Sequence, residues 1–145
     1  MLWYQQNTPL ATQALPAKVS VTDGLIGMPD YKNFILKRCE DTPFVELRSL
    51  EEPHLGFWSI DPFVCVQNYA LAIADEDVRA LEISEVSDIL ILTLAIVSQR
   101  KITLNTMAPL CIHRTRLIGK QIIPENYKSY SAKHVLYEEA VTCLS

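Results

Sequence analysis

Phe44-Val45-Glu46-Leu47-Arg48-Ser49-Leu50 alternates apolar and polar side chains without a break, and Glu51-Glu52-Pro53 closes it. Val45 and Leu47 fall on one face, Glu46 and Arg48 on the other, which is the pattern of a strand with one wet face. Gly56 to Ile60 follows as another short strand, with Phe57 and Trp58 on opposite faces, and Asp61-Pro62 ends it because proline cannot donate to a central ladder.

The same grammar extends outward in both directions. Upstream, Lys18 to Thr22 alternates around Val19 and Val21, and Asp23-Gly24 marks a turn. Gly27 ahead of Met28-Pro29-Asp30 marks a second reversal, and Asn33 to Cys39 reads as a strand broken at Thr42-Pro43. Downstream, Phe63 to Ile73 is expected to resume as extended structure. Asp75-Glu76-Asp77 before Val78 and Leu81 predicts one short helix whose acids oppose the macrodipole. Asp88 to Val97 is apolar on both faces, and Ile89 to Val97 is expected to be the most buried strand. Ile102 to Asn105 and Pro109 to His113 are strands separated by a kink at Thr106-Met107-Ala108, and Gln121 to Ile123 is a last strand. A second short helix is expected around Val135 to Val141. Eight or nine short strands with a turn about every ten residues predict a mainly β protein: a small antiparallel β-barrel-like single domain with one or two short helices. The domain is expected to span residues 1–145, with 1–18, carrying Pro9 and Pro16, as a loosely held arm or an edge segment.

Composition limits the function classes. Hydrophobic residues make up 49% and charged residues 21%, which fits a globular chain and not a disordered one. The formal net charge of −4 opposes direct binding of nucleic acid, and the basic groups Lys32, Lys37, Arg38 and Arg114, Arg116, Lys120 are expected to be solvated faces. The longest apolar run, Ile89 to Val97, is about half of what a membrane-spanning helix needs. The start Met1-Leu2-Trp3-Tyr4 has neither the basic nor the apolar region of a signal peptide, so a cytoplasmic protein with no membrane partner is expected.

No catalytic constellation stands out. Cys39, Cys65, Cys111 and Cys143 are widely spaced, without C-x-x-C pairing, and are expected to be reduced. Cys111 and His113 are two apart, hence on one face of a strand, and Asp61 is the nearest orienting acid one can name for them. A buried thiol beside a strand-end histidine is the simpler account. No cofactor, no metal and no enzymatic activity are expected, and Glu51-Glu52 and Glu138-Glu139 read as solvated faces.

Five motifs in a fixed order resemble the FliW family of flagellar assembly factors, over about Val21 to Tyr130. They are Gly24 to Pro29, Leu47 to Leu50, Asp61 to Phe63 with Tyr69 after it, Thr103 to Pro109, and Gly119 to Gln121. The chain departs from the family pattern at Met28, Arg48, Leu104, Thr106 and His113. The resemblance implies a β-barrel-like protein that binds two partners: newly made flagellin, and CsrA, a small dimeric RNA-binding translational repressor. Binding would antagonise CsrA allosterically, without mimicry of RNA, and so couple flagellin synthesis to flagellar assembly. A flagellin-specific cytoplasmic chaperone without a CsrA role is the alternative, and a small Cys/His-dependent enzyme a remote one. Partner contacts are expected at Asn105, Met107, Pro109 and Leu110 with Pro62, Phe63 and Tyr69, because two proline-bearing kinks interrupt strands there.

Overall fold

The computed structural model describes residues 1–139. Eleven strands run in chain order: β1 Leu2–Tyr4, β2 Ala17–Val21, β3 Asn33–Arg38, β4 Phe44–Ser49, β5 Gly56–Ile60, β6 Leu71–Ile73, β7 Ile89–Val97, β8 Lys101–Leu104, β9 Leu110–His113, β10 Ile118–Gln121 and β11 His134–Glu138. One α-helix, α1, spans Asp75–Ala80, and four single 3-10 turns complete the secondary structure of the described residues.

Seven strands close on themselves in the order β7-β5-β4-β3-β2-β10-β9 and back to β7. A ring with an odd number of strands cannot alternate direction all the way round, so at least one neighbouring pair must be parallel. That pair is β2 and β10, with Ile118 opposite Ser20 and Gly119 opposite Val21. Closure removes the free edges of the ring except beside Ile89 to Leu92 of β7, which β5 does not reach.

The alternation read from the sequence sorts side chains between two cores. Val19, Val21, Phe34, Leu36, Val45, Leu47, Leu90, Leu92, Leu110 and Ile112 fill the barrel. Ile89, Ile91 and Cys111 point outward, into a second core built with Tyr4, Leu71, Ile73, Leu81 and Ile83. Strand β7 is therefore apolar on both faces because both faces are covered. Its last two residues are not: Ile96 is 66% exposed and Val97 51%.

The cover over the second core is the β1–β6 ribbon, in which Trp3 lies opposite Ala72, together with α1. Asp75, Glu76 and Asp77 occupy the first turn of α1 as predicted. Asp77 is buried and accepts from Lys120 Nζ of β10 at 2.6 Å, so the helix is tied to the barrel by an ion pair. That carboxylate beside it raises the pKa of Lys120.

Three expectations are corrected. The first 18 residues are not a loose arm. Along Ile89 to Leu92 strand β7 has β9 on one edge only, and the N-terminal segment satisfies the other. The Asn7 side chain donates to the Ile91 carbonyl at 2.8 Å and accepts from the Ile91 N–H at 2.9 Å, as a neighbouring strand residue would. Arg114 Nε and the Tyr4 hydroxyl both reach the Ile89 carbonyl, each at 3.0 Å. Leaving those groups unpaired would be costly in a buried setting. Second, Phe63 to Ile73 is not continuous extended structure: Pro62–Val64 is a 3-10 turn capped by Asp61, whose carboxylate accepts from Phe63 N–H at 2.9 Å, and only Leu71–Ile73 is strand. Third, the helix expected around Val135 to Val141 is strand β11 as far as Glu138; residues 140–145 lie outside the described residues. No helix of the described residues is long and apolar enough to cross a membrane.

Candidate functional site

Strands β8 and β9 lie on the same edge of β7, one after the other. Ala95 pairs with Leu104, and Leu92 with Leu110, so the register slips by three residues between them. The slip is taken up by the kink 105–109, where β8 leaves the barrel and, with β11, forms a two-stranded extension.

The kink is pinned on every side. The Asn105 side chain accepts from Ala108 N–H at 3.1 Å. Thr106 is buried, and its hydroxyl donates to the Ser131 carbonyl at 2.9 Å. The Tyr69 hydroxyl donates to the Thr106 carbonyl at 2.6 Å. Ile122 N–H reaches the Pro109 carbonyl at 2.9 Å. Burial pushes the Tyr69 hydroxyl well above the usual tyrosine range, so it stays a neutral donor.

Gln121 joins the kink to the first turn of the chain. Its Nε2 donates to the Ala108 carbonyl at 2.9 Å, and its Oε1 accepts from Ile26 N–H at 2.8 Å. The turn itself requires glycine. Gly24 has φ +69°, and a Cβ there would lie 2.6 Å from the Pro29 carbonyl oxygen. Between turn, kink and extension runs an apolar cleft of about 210 Å³, whose walls include Ile26, Met28, Phe57, Leu94, Ile96 and Asn105. Ile26, at 56% exposure, and Ile96 stand at its rim.

The residues expected to contact partners divide by burial. Asn105 and Met107 are half-buried at the kink. Leu110 is fully buried on the inner face of the barrel, and Pro109 is buried beside it. Tyr69 lies under the kink at 4% exposure. Its ring is 5.3 Å from that of Phe63, so the two segments named from the sequence are physically joined. Pro62 is buried, and Phe63 is half-buried at a second, larger groove of about 600 Å³ bordered by Asn7, Leu10, Pro43, Asp61 and the exposed Val64. Burial raises the pKa of Asp61 there, against the Phe63 N–H, the Asn7 side chain and the Arg114 charge, which all lower it.

Sequence reasoning passed over Ile26, Ile96 and the bridging role of Gln121. For Ile26 a signal existed, an apolar residue at a turn tip between two glycines. For Ile96 none did, since the run from Ile89 reads as uniformly buried.

Chemistry is poorly provided for. Cys111 is completely buried and its thiol is pushed far above the usual range by burial, which disfavours the nucleophilic thiolate. His113 Nδ1 takes the N–H groups of Thr115 and Arg116 at 3.3 and 3.1 Å, and its Nε2 faces Asp88 at 3.7 Å. Cys39, Cys65 and Cys111 are free thiols, with burial raising Cys65 to about 11; Cys143 lies outside the described residues. Among the described residues no group of three or more His, Cys, Asp or Glu is placed to hold a metal ion. The basic groups are mostly spoken for, and not simply solvated: Arg38 donates to the Leu10 and Gln13 carbonyls, Arg114 is buried, Arg116 pairs with Glu82 and Lys120 with Asp77. What the arrangement offers is an apolar cleft with the exposed Ile26 and Ile96 at its rim.

Comparison with known proteins is consistent across sequence and structure. A family model described as FliW protein matches residues 7–136. A flagellar assembly factor FliW of Clostridium botulinum is 34% identical over 127 residues, covering 84% of this chain and 88% of that protein. The flagellar assembly factor FliW of Bacillus subtilis is 30% identical over 120 residues, covering 81% and 83%. A crystal structure of the flagellar assembly factor FliW superposes with a TM-score of 0.78 at 33% identity, over 88% of this chain and 91% of that one.

Proposed function

The chain belongs to the FliW family, and from that premise we propose that it works in the bacterial cytoplasm as a flagellar assembly factor that binds flagellin and CsrA in exchange. In this reading flagellin occupies the protein while it accumulates. Export of flagellin frees the protein to capture CsrA, which lifts repression of flagellin translation. The capture is allosteric, and the protein itself does not touch RNA.

The observation that carries the reading is the convergence at Gln121. Three of the five motifs that resemble the family, Gly24 to Pro29, Thr103 to Pro109 and Gly119 to Gln121, meet through the two hydrogen bonds of that one side chain. Motifs far apart in sequence that build one rimmed cleft are the expected mark of a docking surface. We assign partner contact there to Asn105 and Met107, joined by Ile26 and Ile96. Phe63 offers contact at the second groove. Pro109, Leu110, Pro62 and Tyr69 act from beneath, by fixing the shape of those surfaces.

Separate titrations of flagellin monomer and of CsrA into the purified protein test this. Saturable binding of both is expected. Binding of flagellin alone would replace the reading with that of a flagellin-specific chaperone.

A further inference from the structure

A recess of about 390 Å³ opens where three segments distant in sequence meet. The N-terminal segment supplies Thr8, Thr12 and Gln13, the turn before β7 supplies Ser87, and the turn between β9 and β10 supplies Arg114 and Thr115. Arg114 is only 9% exposed, whereas Thr8, Thr12, Ser87 and Thr115 are exposed. The recess therefore has a buried cation at its floor and hydroxyl groups around its mouth.

Hydrogen bonds place the guanidinium. Nε donates to the Ile89 carbonyl at 3.0 Å, Nη1 to Gln13 Oε1 at 3.3 Å, and Nη2 to the Thr8 carbonyl. Thr8 and Gln13 belong to the wall of the recess, so the two terminal nitrogens lie against it. These bonds use one N–H on each nitrogen. A guanidinium carries five, so one N–H remains on Nη1 and one on Nη2. All three acceptors are neutral. Among the described residues Arg114 belongs to no ion pair, and Asp61 is the carboxylate that acts on it from beyond ion-pair distance. Burial lowers the pKa of Arg114, against Tyr4 and Asp61, which raise it. A cation held out of water without an adjacent anion is costly, and an anion that hydrogen-bonds to it removes much of that cost.

The free donors indicate which anion. One N–H on each terminal nitrogen can reach two oxygens of a single ligand. The hydroxyls come from three different segments around the mouth. Donors spread in this way suit a tetrahedral anion, whose oxygens do not lie in one plane, better than a planar carboxylate. We propose that this recess binds a phosphate-type oxyanion, with Arg114 supplying the charge and the hydroxyls of Thr8, Ser87 and Thr115 the further donors. The ligand is a free phosphate ion or a phosphoryl group on a larger molecule, since the mouth is open to both. The site does not depend on the docking function above. With one guanidinium and neutral hydroxyls, the Kd is on the order of 1 mM.

Heteronuclear NMR of the full chain tests this, with inorganic phosphate and O-phosphoserine titrated separately at an ionic strength held constant with chloride. The Arg114 Nε–H and the backbone amides of Thr8, Ser87 and Thr115 are expected to shift together and to saturate on one curve. Saturation by phosphate alone identifies the free ion as the ligand, and tighter binding of phosphoserine a carried phosphoryl group. Arg114 also holds the N-terminal segment, so replacing it can cost the fold. Ser87 is exposed, and Ser87→Glu sets a carboxylate at the mouth. It is expected to leave the rest of the spectrum in place and to weaken binding about tenfold or more. Thr8→Val with Ser87→Ala removes two hydroxyls without changing charge and is expected to weaken binding about fivefold. Shifts that grow with both ligands without saturating, saturation only at residues outside the recess, or undiminished affinity in either variant would each overturn the proposal.

Discussion

The Tyr69 hydroxyl donates to the Thr106 carbonyl across 37 positions of sequence, at 2.6 Å and out of contact with solvent. This single bond ties the segment after the Asp-Pro-Phe turn to the kink where the extension leaves the barrel. Removing it in Tyr69→Phe leaves a buried carbonyl without that partner. The expected cost is about 1–3 kcal/mol, or a fall in Tm of about 4 °C for each kcal/mol. Urea denaturation with an unchanged m-value measures it. No loss of stability would show that the kink is held by its other bonds.

Gln121 makes a sharper case, because its amide serves as donor and acceptor at once. Gln121→Leu orphans both the Ile26 N–H and the Ala108 carbonyl. Gln121→Glu keeps the acceptor for Ile26 and sets a carboxylate against the Ala108 carbonyl oxygen. Both variants are expected to lose stability, by about 2 kcal/mol or more. Both are also expected to speed amide exchange in the Leu25–Met28 turn and at the kink together. Exchange that rises at one segment and not the other would show that Gln121 does not couple them.

Met107 and Leu110 are three residues apart and lie on opposite sides of the fold's boundary. Leu110→Asp places a charge inside the barrel, where Leu110 is 0% exposed, and is expected to abolish folding. Met107→Asp, half-buried in the kink, is expected to keep the fold and weaken partner binding about tenfold or more, roughly 1.4 kcal/mol. Melting curves and affinities on the same samples separate the two. A folded Met107→Asp with full affinity for both partners would remove the kink from the docking surface.

Asp61 gives a pH dependence with a definite sign. Its folded pKa is raised above the ordinary 3.8, chiefly by burial. The folded protein therefore binds this proton more tightly than the unfolded chain does. The resulting stability is complete below 3.8 and is lost as pH rises through the raised value. Asp61→Asn retains an oxygen that can cap Phe63 N–H and does not titrate. Its Tm relative to the parent is expected to increase as pH rises from about 3 to 6 and then level off. A difference that decreases over that range would place Asp61 in a charge-stabilising site instead.

Much of the barrel was legible because alternation is a local signal. Val45 and Leu47, or Val19 and Val21, announce an inner face wherever the chain is extended. The parallel pairing of β2 with β10 was not legible, because it follows from closing a ring of seven and no local pattern encodes that. The tethering of the N-terminus was hidden for a similar reason. Asn7 looks like any loop asparagine until the unpaired edge of β7 is known. Strand β11 was misread because Val135-Leu136-Tyr137 is too short to show a period. At the kink, sequence located the segment through Pro109 but could not say which side chains face out. Leu110 and Asn105 are equally near the break, and only the sheet's pleat decides that one is core and the other rim.

The central claim is exchange between two partners on one protein. Its most direct measurement is calorimetric titration of CsrA into the free protein and into protein saturated with flagellin. The account predicts measurable affinity in the first titration and a loss of about tenfold or more in the second, with an equal factor when the order of partners is reversed. Equal affinity in the two titrations, or no binding of CsrA to the free protein, would contradict it.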